Sequence, residues 1–271
     1  VQNQHPEEDE DGEELPSVEL TESGTPILRH FESDNPEALF EMGQQSPFAE
    51  QIEAHVERHI GPIANVFHEI VSPTVHVDVL CVRPTEARPF HTLVTCGMSA
   101  RPMKVPPEVQ SQLGFDARFA ELLICLPPAW KLNQDSFKAE ENYWPIRWLK
   151  TLARLPHEYN TWLGHGHTVP NGDPPHPFAR NTRLCCAMLA APLSLEEEAH
   201  TLRAEDASGH EAPISFFAMQ TLHADEVAFK LKSGGSALFE LLDEHNVGDL
   251  LDIARPSVVP APPRRSWWKR G

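Results

Sequence analysis

Between Pro156 and Asn171 the chain reads PHEYNTWLGHGHTVPN, a run unusually rich in side chains of chemical use. His165 and His167 are two apart, so an extended strand would turn both imidazoles to one face. Joined by His157 or His176, they would offer neutral nitrogen ligands to a metal ion. No Cys, Asp or Glu with supporting spacing completes such a set, so a metal-dependent or other enzyme site around His157, His165 and His167 is the alternative reading. A structural reading also fits: Asn160 and Asn171 would shape turns, and the histidines would satisfy buried backbone groups. A third reading makes the run a contact surface. Trp144, Trp148, Tyr159 and Trp162 fall within one short stretch, and aromatics supply large contact area for little entropy loss. Trp148 reads more readily as core, whereas Tyr159 and Trp162 are balanced between core and surface. The residues expected to touch a partner are therefore His157, Tyr159, Asn160, Trp162, His165, His167 and Asn171.

Other reaction chemistry finds little support. Nucleophilic catalysis needs a nucleophile beside a base, and the sequence has no GxSxG elbow. It also has no GxxxxGK[ST] loop and no GxGxxG after a strand. Arg101 in SARPM and Arg147 in WPIRW would suit an anion, but such arginines more commonly pair with carboxylates or cover a helix face. The expectation is a non-enzymatic protein with no cofactor and no metal.

These residues must be positioned by surrounding elements. Phe48, Ile52, His55, Val56 and Ile60 recur at helical spacing between Ser46–Pro47 and Gly61–Pro62. Strands are expected at 64–71 and 75–82, joined as a hairpin through Ser72–Pro73–Thr74, then at 90–97 and 119–126. Met98 to Pro107 reads as a loop. Trp144–Pro145 should open a helix with Trp148, Leu149, Leu152 and Leu155 as its apolar stripe, stopped by Pro156. Further strands are expected at 164–169, 184–191 and 214–222, with a mobile acidic stretch at 196–211. Helices at 224–232 and 236–243 should break at Gly234–Gly235. Strands and helices mix without strict alternation, so the expected class is α+β, a mixed, mostly antiparallel sheet flanked by helices.

Composition narrows the partners. Asp and Glu number 40 against 22 Lys and Arg, a formal net charge of −18. Nucleic-acid binding needs clustered cations, so no nucleic-acid partner is expected. No apolar run reaches the roughly 18 residues of a membrane helix, and the start shows no signal-peptide pattern. Five cysteines, an odd number in apolar surroundings, fit buried thiols in a reducing compartment, read here as the cytoplasm. Residues 1–45, with the acidic run Glu7 to Glu14, are expected to be a largely disordered tail. Residues 257–271 are expected to be a Pro-rich basic tail, leaving one domain at 46–256.

Four blocks, in order, resemble the suppressor-of-fused domain: FHTLVTCGMSARPM (Phe90 to Met103), FAELLICLPPAW (Phe119 to Trp130), WPIRWLKTLARLPHEYNTWLGHGHTVPNGD (Trp144 to Asp173) and ISFFAMQTLHADEVAFKLKSGGSALFELL (Ile214 to Leu242). The resemblance implies that family's fold and a role in holding a protein partner. Animal members restrain Hedgehog signalling by holding a zinc-finger transcription factor, with an extended peptide gripped between two domains. This sequence resembles only the first of the two, which points to the compact bacterial form. Some bacterial relatives are thought to be immunity proteins that neutralise toxins. An acidic chain suits a basic toxin as partner, because opposite charge speeds association.

Overall fold

The computed structural model describes residues 19–29, 46–69, 74–206 and 208–260. The acidic run at 7–14, the Ser72–Pro73 turn and the basic residues from 261 onward lie outside the described residues. Within the first 45 residues, β1 (Glu19–Leu20) and β2 (Pro26–Ile27) form a small antiparallel hairpin. Its turn is tied to the rest of the protein by the Ser23 N–H, which donates to the Leu231 carbonyl at 3.2 Å.

The helix α1 (Ala49–His59) buries Ile52, His55 and Val56 along one stripe, as the spacing requires. Three strands follow, β3 (Ile63–Phe67), β4 (Asp78–Val82) and β5 (His91–Cys96), paired antiparallel in succession. Then come α2 (Pro107–Leu113), β6 (Ala120–Leu126) and the long helix α3 (Glu140–Glu158). Next are β7 (Thr168–Pro170), β8 (Cys186–Ala190), β9 (Thr201–Glu205) and β10 (Glu211–Leu222). The helices α4 (Ala224–Ser233) and α5 (Gly235–Glu244) end the regular structure, divided at Gly234 as expected. One sheet joins the strands in the order β3-β4-β5-β6-β10-β8-β7, with β9 also on β10. Every pair is antiparallel except β6 with β10. The α+β class with a mixed, mostly antiparallel sheet is what the structure shows.

Because side chains alternate across a strand, the central strands feed two cores. Leu93, Leu122, Ile124, Ala187 and Leu189 face α3, packing with Trp148, Leu149 and Leu152. On the other face Leu80, Val94, Leu123 and Phe216 meet Ile52 and Val56 of α1. Farther along that same face Cys186, Met188 and Leu222 meet Leu238 and Leu242 of α5. All five cysteines are buried and free.

Four expectations need correction. Helix α3 starts at Glu140, not at Trp144, and runs through Pro156 to Glu158. Pro145 and Pro156 each lack an N–H, so each removes one helix hydrogen bond, near an end. Burial of Trp144, stacked on Phe178 at 4.7 Å, outweighs that loss. The segment 98–107 is not all loop, since Pro107 opens α2 and Gly114 ends it in the left-handed conformation. The acidic stretch 196–211 carries β9, which turns Ala204 inward and leaves Thr201, Arg203 and Glu205 exposed. Finally, β7 begins at Thr168, whereas residues 164–167 form a turn with Gly166 at φ 80°.

Candidate functional site

The seven residues expected to touch a partner do not form one cluster. They run from the last turn of α3, where His157 lies by the end of the central strand β5, to the far end of the outer strand β7. At the start, His157 Nε2 donates to the Met98 carbonyl at 2.8 Å. Tyr159 is the C-cap of α3, its N–H bonded to the Leu155 carbonyl, and Asn160 follows with φ 48°. Left-handed backbone is tolerated by asparagine better than by most residues, so Asn160 ends the helix and turns the chain. The chain then runs beside residues 103–105, with the Lys104 N–H donating to the Thr161 carbonyl at 3.0 Å.

Trp162 is half-buried and packs on the α3-side core. Its ring lies edge-on to His167 at 4.3 Å. A Cβ on Gly164 would come within 2.7 Å of the Trp162 ring, so only glycine permits this placement. His165 is exposed and stacks on Phe239 of α5 at 4.8 Å. The two histidines expected on one strand face are thus parted by the turn at Gly166, one on Trp162 and the other on Phe239. At the far end the Asn171 side-chain amide donates to the carbonyls of His176 and Pro177, closing the 171–177 turn. Trp144 and Trp148, weighed above as contact aromatics, are core residues 0% and 4% exposed. Among the described residues no group of three His, Cys, Asp or Glu side chains is arranged to hold a metal.

Electrostatics follow burial. Burial holds the His167 imidazole down to about 4, helped by Lys230 and opposed by a hydrogen bond to the Trp162 backbone. Burial also lowers His157, and partial desolvation lowers His165, whose ring is stacked on Phe239 though the residue is exposed. Between the ordinary value near 6.5 and about 4, the unfolded chain binds a proton at this residue that the folded one does not. Stability therefore falls with pH through that window. We expect His167 alone to cost up to about 2 kcal/mol on going from pH 7 to 5. Urea titrations of wild type and His167→Gln check it. The two stability curves should converge as pH drops, and parallel curves refute the assignment.

Only residues 167–171 of this run lie on a strand edge. The Leu189 N–H donates to the His167 carbonyl, and the Asn171 N–H donates to the Cys185 carbonyl. With Val169 opposite Ala187, residues 167, 169 and 171 turn their backbone polar groups toward β8. Thr168 and Pro170 therefore point theirs outward, and among the described residues no strand pairs with that side. The Thr168 hydroxyl accepts from Lys230 Nζ at 3.1 Å, which fixes the edge against α4. Thr168, Lys230 and Phe239 are site residues that the sequence reading missed. The β7–β8 and β8–β10 pairings together bring α4 and α5 to this edge.

The geometry defines an α+β domain with helices on both sheet faces and an outer strand, free on its far side among the described residues, flanked by aromatic and imidazole rings. A family model described as "Suppressor of fused protein (SUFU)" matches residues 73–256, more than half of the chain, and the chain belongs to that family. Among solved structures it is similar to a suppressor-of-fused homologue from Neisseria gonorrhoeae FA 1090. The TM-score is 0.53 at 19% identity, covering 79% of this chain and 98% of that one. It is also similar to a chain in the crystal structure of the Sufu–Fu complex, with TM-score 0.51 at 15% identity, covering 79% and 93%. At these identities the likeness is one of fold. Comparison with curated proteins gave no match. No helix among the described residues is long and apolar enough to cross a membrane.

Proposed function

We propose that this protein is a non-enzymatic binding module that holds an extended segment of a protein partner along the outer edge of β7. The observation that carries the reading is the outward backbone of Thr168, which no strand pairs among the described residues, set beside Trp162, His165 and His167. Strand addition supplies affinity through main-chain hydrogen bonds, while flanking side chains supply selectivity. Support comes from the family, in which the Sufu chain forms a complex with Fu. Pro170 donates nothing, so the edge offers a short ladder and resists indiscriminate sheet extension.

The finer reading is an immunity-type inhibitor acting in a bacterial cytoplasm on a basic toxin. Its support is the net charge of −18 and five unpaired, buried thiols. Thr168→Pro deletes the outward N–H and leaves the β8 ladder intact, while Thr168→Val, which loses only the hydroxyl held by Lys230, is its control and should keep the partner. Tagged wild type should recover one protein in near-stoichiometric amount from its own cells, and Thr168→Pro should lose it by about tenfold or more, the worth of one good hydrogen bond. Equal recovery by both would rule out the β7 edge. A recovered partner of acidic composition would rule out the toxin reading while leaving the edge standing.

A further inference from the structure

The parallel pair β6 and β10 creates a second feature at the opposite end of the strands from His157. Their ladder stops at Ala218 opposite Leu123, although both strands continue. Beyond that point Cys125 pairs with Leu250 instead, and the Leu251 N–H donates to the Cys125 carbonyl at 2.8 Å. After β6 the chain crosses to α3 on one face, and after β10 it enters α4 on the other. Adjacent parallel strands whose following helices leave to opposite faces open a crevice at their carboxyl ends. Here that crevice is a groove of about 870 Å³.

Its walls carry exposed apolar side chains. Trp130 and Phe90 line it, with Leu193 at 67% and Leu250 at 48% exposed. Its charge is acidic: Glu141, Asp249 and Asp252 stand against Lys131. Asn246 and Gly248 also line it, and Val247 between them belongs to the same apolar cluster as Val258, close to where the described chain stops at Pro260. Residues 261–271 read APPRRSWWKRG, two indoles bracketed by four cations. From Pro260, seven fully extended residues reach up to about 25 Å to Trp267.

We propose that residues 261–271 dock in this groove of the same molecule, with Trp267 and Trp268 on Leu193, Leu250 and Trp130 and the flanking cations against Glu141 and Asp252. The contact covers an apolar surface that the fold leaves open, and its charge pairing weakens with salt. It is independent of the β7 edge.

Arg264, Arg265, Lys269 and Arg270 make the tail a tryptic substrate, and cleavage of a docked segment follows the fraction released. In the full chain, the double variant Leu193→Glu/Leu250→Glu should be cut within 264–270 at least about tenfold faster than wild type. Both leucines are exposed, so the fold tolerates the change. Trp267→Ala/Trp268→Ala should match it, and neither rate should depend on protein concentration. Equal cutting of wild type and groove variant overturns the proposal. So does protection that survives the groove variant, which puts the tail elsewhere, or protection that grows with concentration, which puts it on a second copy.

Discussion

Replacing Glu121 by Ala is expected to cost about 3–5 kcal/mol, enough to leave a domain of ordinary stability largely unfolded. Glu121 is fully buried in the middle of the sheet. Its carboxyl accepts from Thr95 Oγ1, from the N–H groups of Gly97 and Ser99 at 3.0 Å each, and from Ser99 Oγ at 2.6 Å. Removing it strands four buried donors at once, and each unsatisfied donor costs on the order of 1–3 kcal/mol before any relaxation. The turn it holds has no slack, because a Cβ on Gly97 would lie 2.0 Å from the His76 carbonyl oxygen. The same turn presents the Met98 carbonyl to His157, so Glu121 also positions the carbonyl that holds this histidine. Glu121→Gln keeps one acceptor oxygen and should lose about half as much, since its amide meets donors where the carboxyl met them. Urea unfolding of both variants checks this. A loss under about 1 kcal/mol for Glu121→Ala would mean that the four hydrogen bonds carry little net stability.

Glu121 also marks how far the sequence could be read. A lone acid inside FAELLICL is the signature of a buried, partnered carboxylate, but nothing local says which donors meet it. Apolar alternation and proline positions located most strands and helices, because those signals arise within a few residues. The edges of elements were harder. Trp144–Pro145 looked like a helix opening on proline chemistry alone, and tertiary burial of Trp144 against Phe178 carried the helix a turn upstream. The strand β9 was hidden because its exposed face is polar and charged and only Leu202 and Ala204 turn inward, which reads as solvated acid instead of sheet. Helix α2 carried legible marks, a proline at its first position and a glycine after its last.

The candidate site was half legible. Its residues were named from composition, and the turn roles expected of Asn160 and Asn171 match their observed geometry. Their arrangement was not recoverable. The idea that His165 and His167 share a face assumed a strand that Gly166 breaks. That β7 is an outer strand follows from β8 pairing with β10, a contact between residues 186–190 and 218–222 that no local pattern encodes. The groove likewise depends on where two parallel strands part company and on a segment 125 residues away in sequence filling the gap. Both candidate surfaces are therefore products of long-range topology, while the side chains that decorate them come from short motifs.

Arg255→Ala should cost about 3–5 kcal/mol at neutral pH, because it leaves a buried carboxylate without its cation. Glu226 is fully buried, and Arg255 meets it with two hydrogen bonds of 2.6 Å, joined by the N–H groups of His223 at 2.8 Å and Val258 at 3.0 Å. Burial acts to raise the Glu226 pKa, but the hydrogen bonds from Arg255 and the two backbone donors overcome it and hold the group below its ordinary range. The folded form thus keeps Glu226 ionised more readily than the unfolded chain does. That contribution is complete above the unfolded pKa near 4.3 and fades as pH falls through the lower folded value. Without Arg255 the direction reverses, because burial then acts with less opposition and protonation relieves the variant. The gap between wild type and Arg255→Ala should accordingly narrow from pH 7 toward pH 4, and Glu226→Gln/Arg255→Met should recover much of the loss. Thermal or urea unfolding across that range reads both effects. A gap that stays constant with pH would show that Arg255 stabilises the 254–258 strap through packing and its bond to the Thr221 carbonyl, and not through the buried charge.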